Sequence, residues 1–169
     1  MKLLVMSDSH RNIDNMLCAA EHTSPDAIIH LGDHISDAMK LRAQLPDTTF
    51  YMVMGNCDYG AFGENEYFLT LESVKILITH GHMYGVKSGD AALIERARNL
   101  GADIVLFGHT HRAVVRNEFG IWFMCPGQME RHDRFFTASY GIVTIEGNSF
   151  ECGVEKLHTP LEASSFRLF

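Results

Sequence analysis

Apolar residues fall in two rhythms along this chain. Up to about residue 111, short, nearly unbroken runs at 3–6, 27–31, 50–54, 75–79 and 104–107 alternate with stretches whose apolar positions recur every three or four residues. Unbroken runs of that length suit strands buried on both faces of a largely parallel sheet. The stretches 12–21, 36–45 and 89–100 predict helices, with Ser36 and Ser88 placed as N-caps. Strand–helix–strand alternation of this kind defines an α/β fold. Past His111 the helical period fades. Segments 113–116 and 120–124 flank Asn117-Glu118-Phe119, and segments 140–146 and 149–154 flank Gly147-Asn148, which predicts two antiparallel hairpins. No linker separates the halves, so residues 1–169 are expected to form one domain whose second part completes or faces the sheet of the first. The stretch from about 159 to 169 carries Phe166, Leu168 and Phe169, too apolar for a free polar tail, and is expected to pack on its own domain or on a partner.

Composition narrows the function classes. The chain has 169 residues, 46% hydrophobic and 21% charged, and a domain of that size buries about 70% of the surface its unfolded form exposes. A formal net charge of −7 argues against binding long nucleic acid, which needs a basic footprint. A small anionic substrate stays compatible, because bound divalent cations reverse the local sign. No segment approaches the roughly 20 apolar residues of a membrane helix. The run after Met1-Lys2 is too short for a signal-peptide core. A cytoplasmic location without membrane contact is therefore expected. Cys18, Cys57, Cys125 and Cys152 form no CxxC pair and read as thiols. The apolar content of the C-terminal half fits a homodimer or homotetramer without establishing one.

The chemistry sits where the strands end. Asp8-Ser9-His10, Gly32-Asp33, Gly55-Asn56-Cys57-Asp58, His80-Gly81-His82 and Gly108-His109-Thr110-His111 each follow an apolar run. Side chains at the carboxyl ends of parallel strands converge on one crevice. In an extended loop residues i and i+2 share a side, so Asp8 with His10, and His109 with His111, can each approach one ion. The five segments offer more oxygen and nitrogen than one ion can use, which points to a two-metal hydrolytic site. Carboxylate, amide and imidazole together suit manganese first, then nickel, cobalt, iron or zinc. Gly32, Gly55, Gly81 and Gly108 stand beside these residues, where the backbone must turn sharply. His82 fits an outer partner of the ligands, a phosphate contact or a simple turn residue. His34 and Arg11 are placed to line the cleft or to face solvent. His22, His30, His132 and His158 belong to no motif and read as structural or exposed.

Taken in order, D-x-H, G-D, G-N-x-D, H-G-H and G-H-T-H resemble the calcineurin-like metallophosphoesterase superfamily. Gly55-Asn56-Cys57-Asp58 and the segment 79–85 are similar to its small YfcE-type phosphodiesterase branch, which also includes relatives of the eukaryotic retromer scaffold subunit. The resemblance implies a four-layer αββα sandwich of two mixed β-sheets flanked by helices. It implies one metal on Asp8, His10 and His111, a second on Asn56, His80 and His109, and Asp33 bridging both. Asn12 falls at a family position near the substrate phosphate.

Such a site implies hydrolysis of small phosphodiesters by a metal-bridging hydroxide, with two divalent ions as cofactors. Many superfamily members carry histidine where this chain has Cys57, a group thought to protonate the leaving oxygen and to be oriented by the residue at Asp58. A thiol is a poor substitute at neutral pH. The expectation is a preference for good leaving groups, with His82 as another possible proton source. The alternative is a metal-binding scaffold related to the retromer subunit, with little or no catalysis.

Overall fold

The computed structural model describes residues 1–130 and 137–157. The expected packing of 159–169, together with His132 and His158, lies outside them. In chain order the elements are β1 (Lys2–Met6), α1 (Ile13–Thr23), β2 (Ala27–His30), α2 (Ile35–Gln44), β3 (Thr49–Met52), β4 (Glu66–Leu71), β5 (Val74–Thr79), a 3₁₀ turn (His82–Tyr84), α3 (Ala91–Leu100), β6 (Ile104–Phe107), β7 (Val114–Glu118), β8 (Ile121–Cys125), β9 (Ser139–Glu146) and β10 (Ser149–Lys156).

The five apolar runs form strands, but not in one sheet. β1, β2 and β3 are parallel neighbours in a sheet of order β10-β9-β1-β2-β3, while β5 and β6 belong to a second sheet of order β4-β5-β6-β8-β7. The C-terminal hairpins divide likewise: β9–β10 closes the first sheet antiparallel to β1, and β7–β8 closes the second, with β8 parallel to β6. Leu3, Val5 and Ile29 from one sheet meet Ile76, Ile78 and Ile104 from the other in a fully buried core. The opposite face of the first sheet buries Leu4, Met6 and Ile28 against Met16 and Ala19 of α1 and Leu41 of α2. That of the second buries Leu77 and Val105 against Leu93 and Ala97 of α3. Helix, sheet, sheet, helix is the αββα sandwich. Strands covered on both faces explain the unbroken apolar runs.

Two local expectations need correction. Ser36 and Ser88 do not cap their helices. Ser36 lies inside α2, whose N-cap is His34 in the left-handed conformation, and α3 begins after Asp90; neither N-cap side chain makes a capping bond. The first hairpin turns at Phe119-Gly120 rather than over 117–119. Both residues have positive φ (55° and 82°), as a two-residue primed turn requires. The sequence pattern also gives no sign of β4, an edge strand with Tyr67 and Phe68 exposed, paired antiparallel with β5. No helix among the described residues is long and apolar enough to cross a membrane.

Candidate metal centre

The loops leaving β1, β2, β3, β5 and β6 meet at one end of the sandwich. They are not extended. Asp8, His10, Arg11, Asp33, His34, His109 and His111 all have positive φ, between 43° and 73°. Among the described residues, seven of the ten non-glycine residues with positive φ therefore lie in these loops, where such a conformation costs about 1–3 kcal/mol each. The side chains are aimed by tight left-handed turns, not by the alternation expected of a straight loop. Close approach makes two glycines obligatory. A Cβ on Gly55 would lie 2.1 Å from Asp33 Oδ1, and one on Gly108 would lie 2.0 Å from Ser7 Oγ.

Asp8, His10, Asp33 and His111 place ligating atoms within 4.8 Å of one another. His111 Nε2 is 3.0 Å from the buried Asp8 Oδ1, and Ser7 Oγ donates to Asp8 Oδ2 at 2.5 Å. His80 Nε2 lies 3.4 Å from Asp33 Oδ1 and 3.1 Å from Asn56 Oδ1. His80 Nδ1 is 2.7 Å from the Leu31 carbonyl, an acceptor only, so this nitrogen carries the proton and Nε2 presents its lone pair to those oxygens. The His109 ring stands 5.0 Å from that of His80. The structure thus brings Asp8, His10, Asp33 and His111 together and sets His80 beside Asp33, Asn56 and His109.

The electrostatics suit a cation. Burial would raise the Asp8 carboxyl, but His111, His80 and Ser7 outweigh it and hold it below its ordinary value. Burial, helped by His80 and Lys87, pushes His109 down to about 4, leaving the neutral ring that ligates metals. Buried His10 Nε2 and His109 Nδ1 have no hydrogen-bond partner among the described residues. Unpartnered buried nitrogens of this kind, beside lone pairs facing carboxylate and amide oxygens, are what a bound cation resolves.

The remaining predicted residues take varied places. His82 opens the 3₁₀ turn, its ring 5.3 Å from His80 and 6.2 Å from His109, its buried Nδ1 without a partner among the described residues. Asn12 caps α1, its Oδ1 accepting from the Asn15 N–H at 3.2 Å. The Cys57 N–H donates to Asp33 Oδ1 at 2.8 Å, and burial, with Asp33 beside it, pushes the thiol up to about 11. Asp58 spends both oxygens on backbone, accepting from Ile35 N at 2.7 Å and Gly55 N at 2.8 Å. His34 packs its ring edge against His10, 5.2 Å between centroids.

Sequence reasoning missed two supports. Asp37, on α2 and 1% exposed, accepts from Ser9 Oγ at 2.8 Å and from the Arg11 N–H at 2.7 Å, which pins the loop carrying His10. Its spacing of four residues from Asp33 was the available signal. The Leu31 carbonyl that orients His80 has no sequence signature at all.

A two-sheet sandwich with this donor set at its strand ends defines a metal-binding protein of the phosphoesterase class. Residues 1–148 match the calcineurin-like phosphoesterase superfamily domain, and the chain belongs to that superfamily. A probable metallophosphoesterase of Bacillus subtilis, YsnB, is 35% identical over 152 residues, covering 88% of this chain and 87% of its own length. The phosphodiesterase MJ0936 of Methanocaldococcus jannaschii is 27% identical over 146 residues, covering 76% of this chain and 84% of its own. Among solved structures, a predicted phosphoesterase from Streptococcus pneumoniae TIGR4 is similar with a TM-score of 0.75 at 26% identity, over 92% of this chain and 88% of that one. The fold alone is shared with wild-type Vps29 of Entamoeba histolytica, solved with zinc, at a TM-score of 0.69 and 19% identity over 94% and 100% of the two chains.

Proposed function

We propose that this chain is a dinuclear-metal phosphodiesterase of small phosphodiesters with good leaving groups. The observation that carries the reading is the cluster of Asp8, His10, Asp33 and His111, with His80 set against Asp33 and Asn56 and with buried imidazole nitrogens unpartnered among the described residues. Asp8, His10 and His111 would hold one divalent cation, Asn56, His80 and His109 the other, and Asp33 both. Manganese is the first candidate, then nickel, cobalt, iron or zinc. Bound there, two cations would supply an activated water and offset charge growing on the phosphoryl oxygens.

Orientation and proton supply come from the chain's own residues. The Cys57 N–H holds the Asp33 carboxylate, and the Leu31 carbonyl fixes the His80 tautomer, so neither group must reorganise during reaction. With Asn12 Oδ1 used as a cap, its amide NH₂ is the part left to bind a phosphoryl oxygen. His82, its ring 5.3 Å from that of His80, would be the further imidazole available to the substrate. The Cys57 thiol, held near 11, donates a proton poorly at pH 7, and Asp58 is committed to the backbone. Esters whose alcohol leaves without protonation are accordingly favoured.

Hydrolysis of bis-p-nitrophenyl phosphate by metal-stripped protein, before and after addition of Mn²⁺, tests the reading. Turnover that requires the metal and is lost in Asp33→Ala is the expected result. Metal binding without turnover of this undemanding ester would favour the scaffold reading, in line with the fold shared with Vps29.

A further inference from the structure

A second concave feature adjoins the metal centre. A cavity of about 590 Å³ is bordered by His111 and lies between β7 and β10, the edge strands of the two sheets. Its size falls in the range of about 300–1,000 Å³ usual for small-molecule sites. Strand alternation decides what faces it. Val115 on β7 and Val154 on β10 both pack toward the inter-sheet core. Lys156, two residues beyond Val154, falls on the same face. Glu155 also borders the groove, but its carboxylate turns away to accept a bond from the buried Tyr140 hydroxyl at 2.9 Å. Arg112 follows His111 directly. Neither Arg112 nor Lys156 has a carboxylate partner among the described residues, whereas Arg116 on the same β7 is paired with Asp90 and Glu118. In a chain of net charge −7, this groove offers an aliphatic floor and two uncommitted cations.

We propose that the groove holds the organic group of the diester and selects those whose organic group joins an apolar body to a second phosphate. His111 belongs to both the centre and the groove, so a phosphoryl group beside it has the groove as its adjoining surface. An apolar body fits over Val115 and Val154. A guanidinium and an ammonium at the rim match a phosphate, the guanidinium in bidentate geometry. The inference rests on the phosphodiesterase reading for its chemistry, though its binding arm does not need turnover.

Three esters that release the same p-nitrophenolate test it with the full chain and Mn²⁺: methyl p-nitrophenyl phosphate, thymidine 5′-(p-nitrophenyl phosphate), and the latter with a 3′-phosphate. The expected kcat/KM rises at each step, by about tenfold for the added phosphate. Combining Arg112→Gln with Lys156→Gln removes the last step, and Ala113→Trp, at a residue that also borders the groove, fills it and removes the first. Equal values for the three esters, or variants that slow all three alike, would overturn the inference and leave the diesterase reading standing. Calorimetric binding of thymidine 3′,5′-bisphosphate to the same proteins covers a chain that turns over none of them. Affinity reduced about tenfold by the double substitution supports the groove, and unchanged affinity overturns it.

Discussion

Gly55 and Gly108 show how finely single residues set this centre. Gly55 lets the Asp33 carboxylate sit where a methyl group would otherwise be, 2.1 Å from its Oδ1, and Gly108 does the same for the Ser7 hydroxyl that donates to Asp8, 2.0 Å from its Oγ. Gly55→Ala should displace Asp33 and weaken Mn²⁺ binding by about 10–100-fold, as loss of a ligand's support does elsewhere. Calorimetric titration of the stripped protein reads this, and unchanged affinity would mean that Asp33 is free to shift. Cys57→His restores an imidazole where a thiol near 11 now stands. General acid catalysis is worth about 10²–10⁴ in rate, so alkyl diesters should gain far more than aryl ones. An unchanged aryl-to-alkyl ratio would show that leaving-group protonation is not limiting. The residue types at this scale were legible because five such segments stand in order at strand ends; any one alone would read equally as a cap or turn. Their conformation was not. Left-handed turns at Asp8, His10, His109 and His111 cost backbone energy that only the assembled site holds in place, and no local preference announces them.

At the scale of elements, α2 illustrates a cap supplied from elsewhere in the chain. Its first N–H, on Ile35, bonds to Asp58, a residue of the loop after β3, and Asp58 also ties down Gly55. The sequence suggested Ser36 because a serine stood at the expected position, but caps are satisfied in space. Asp58→Ala should therefore cost about 1–2 kcal/mol in denaturant unfolding, with Asp58→Asn retaining part of it. An Asp58→Ala protein as stable as the parent would show that the bond to Ile35 contributes little. The buried strands were legible from their unbroken apolar runs. β4 was not, because this edge strand buries no residue and exposes the adjacent Tyr67 and Phe68, so it shows neither an alternation nor a buried run.

For the whole molecule, the sequence pattern read the helices and every strand except β4, but could not divide the strands between sheets. β3 and β5 look alike as apolar runs, yet they belong to different sheets whose faces share one core. The resemblance to a family provided the two-sheet arrangement; the periodicity did not. A consequence for the whole fold lies at His30, fully buried at the end of β2, where burial pushes the imidazole from 6.5 down to about 4. Between those values the unfolded chain binds the extra proton and the folded one does not. His30's contribution is thus complete above about pH 6.5 and is lost as pH falls toward 4, on the order of 3 kcal/mol in all. Unfolding of metal-stripped protein at pH 7 and pH 5 should show a smaller pH effect in His30→Gln than in the parent; an equal loss would place the sensitivity elsewhere. The central claim, two cations bridged by one carboxylate, is tested most directly by electron paramagnetic resonance during Mn²⁺ titration of the stripped protein. The account predicts two ions per chain with an exchange-coupled spectrum that collapses to uncoupled signals in Asp33→Asn. A single ion per chain, or two ions that never couple, would contradict it.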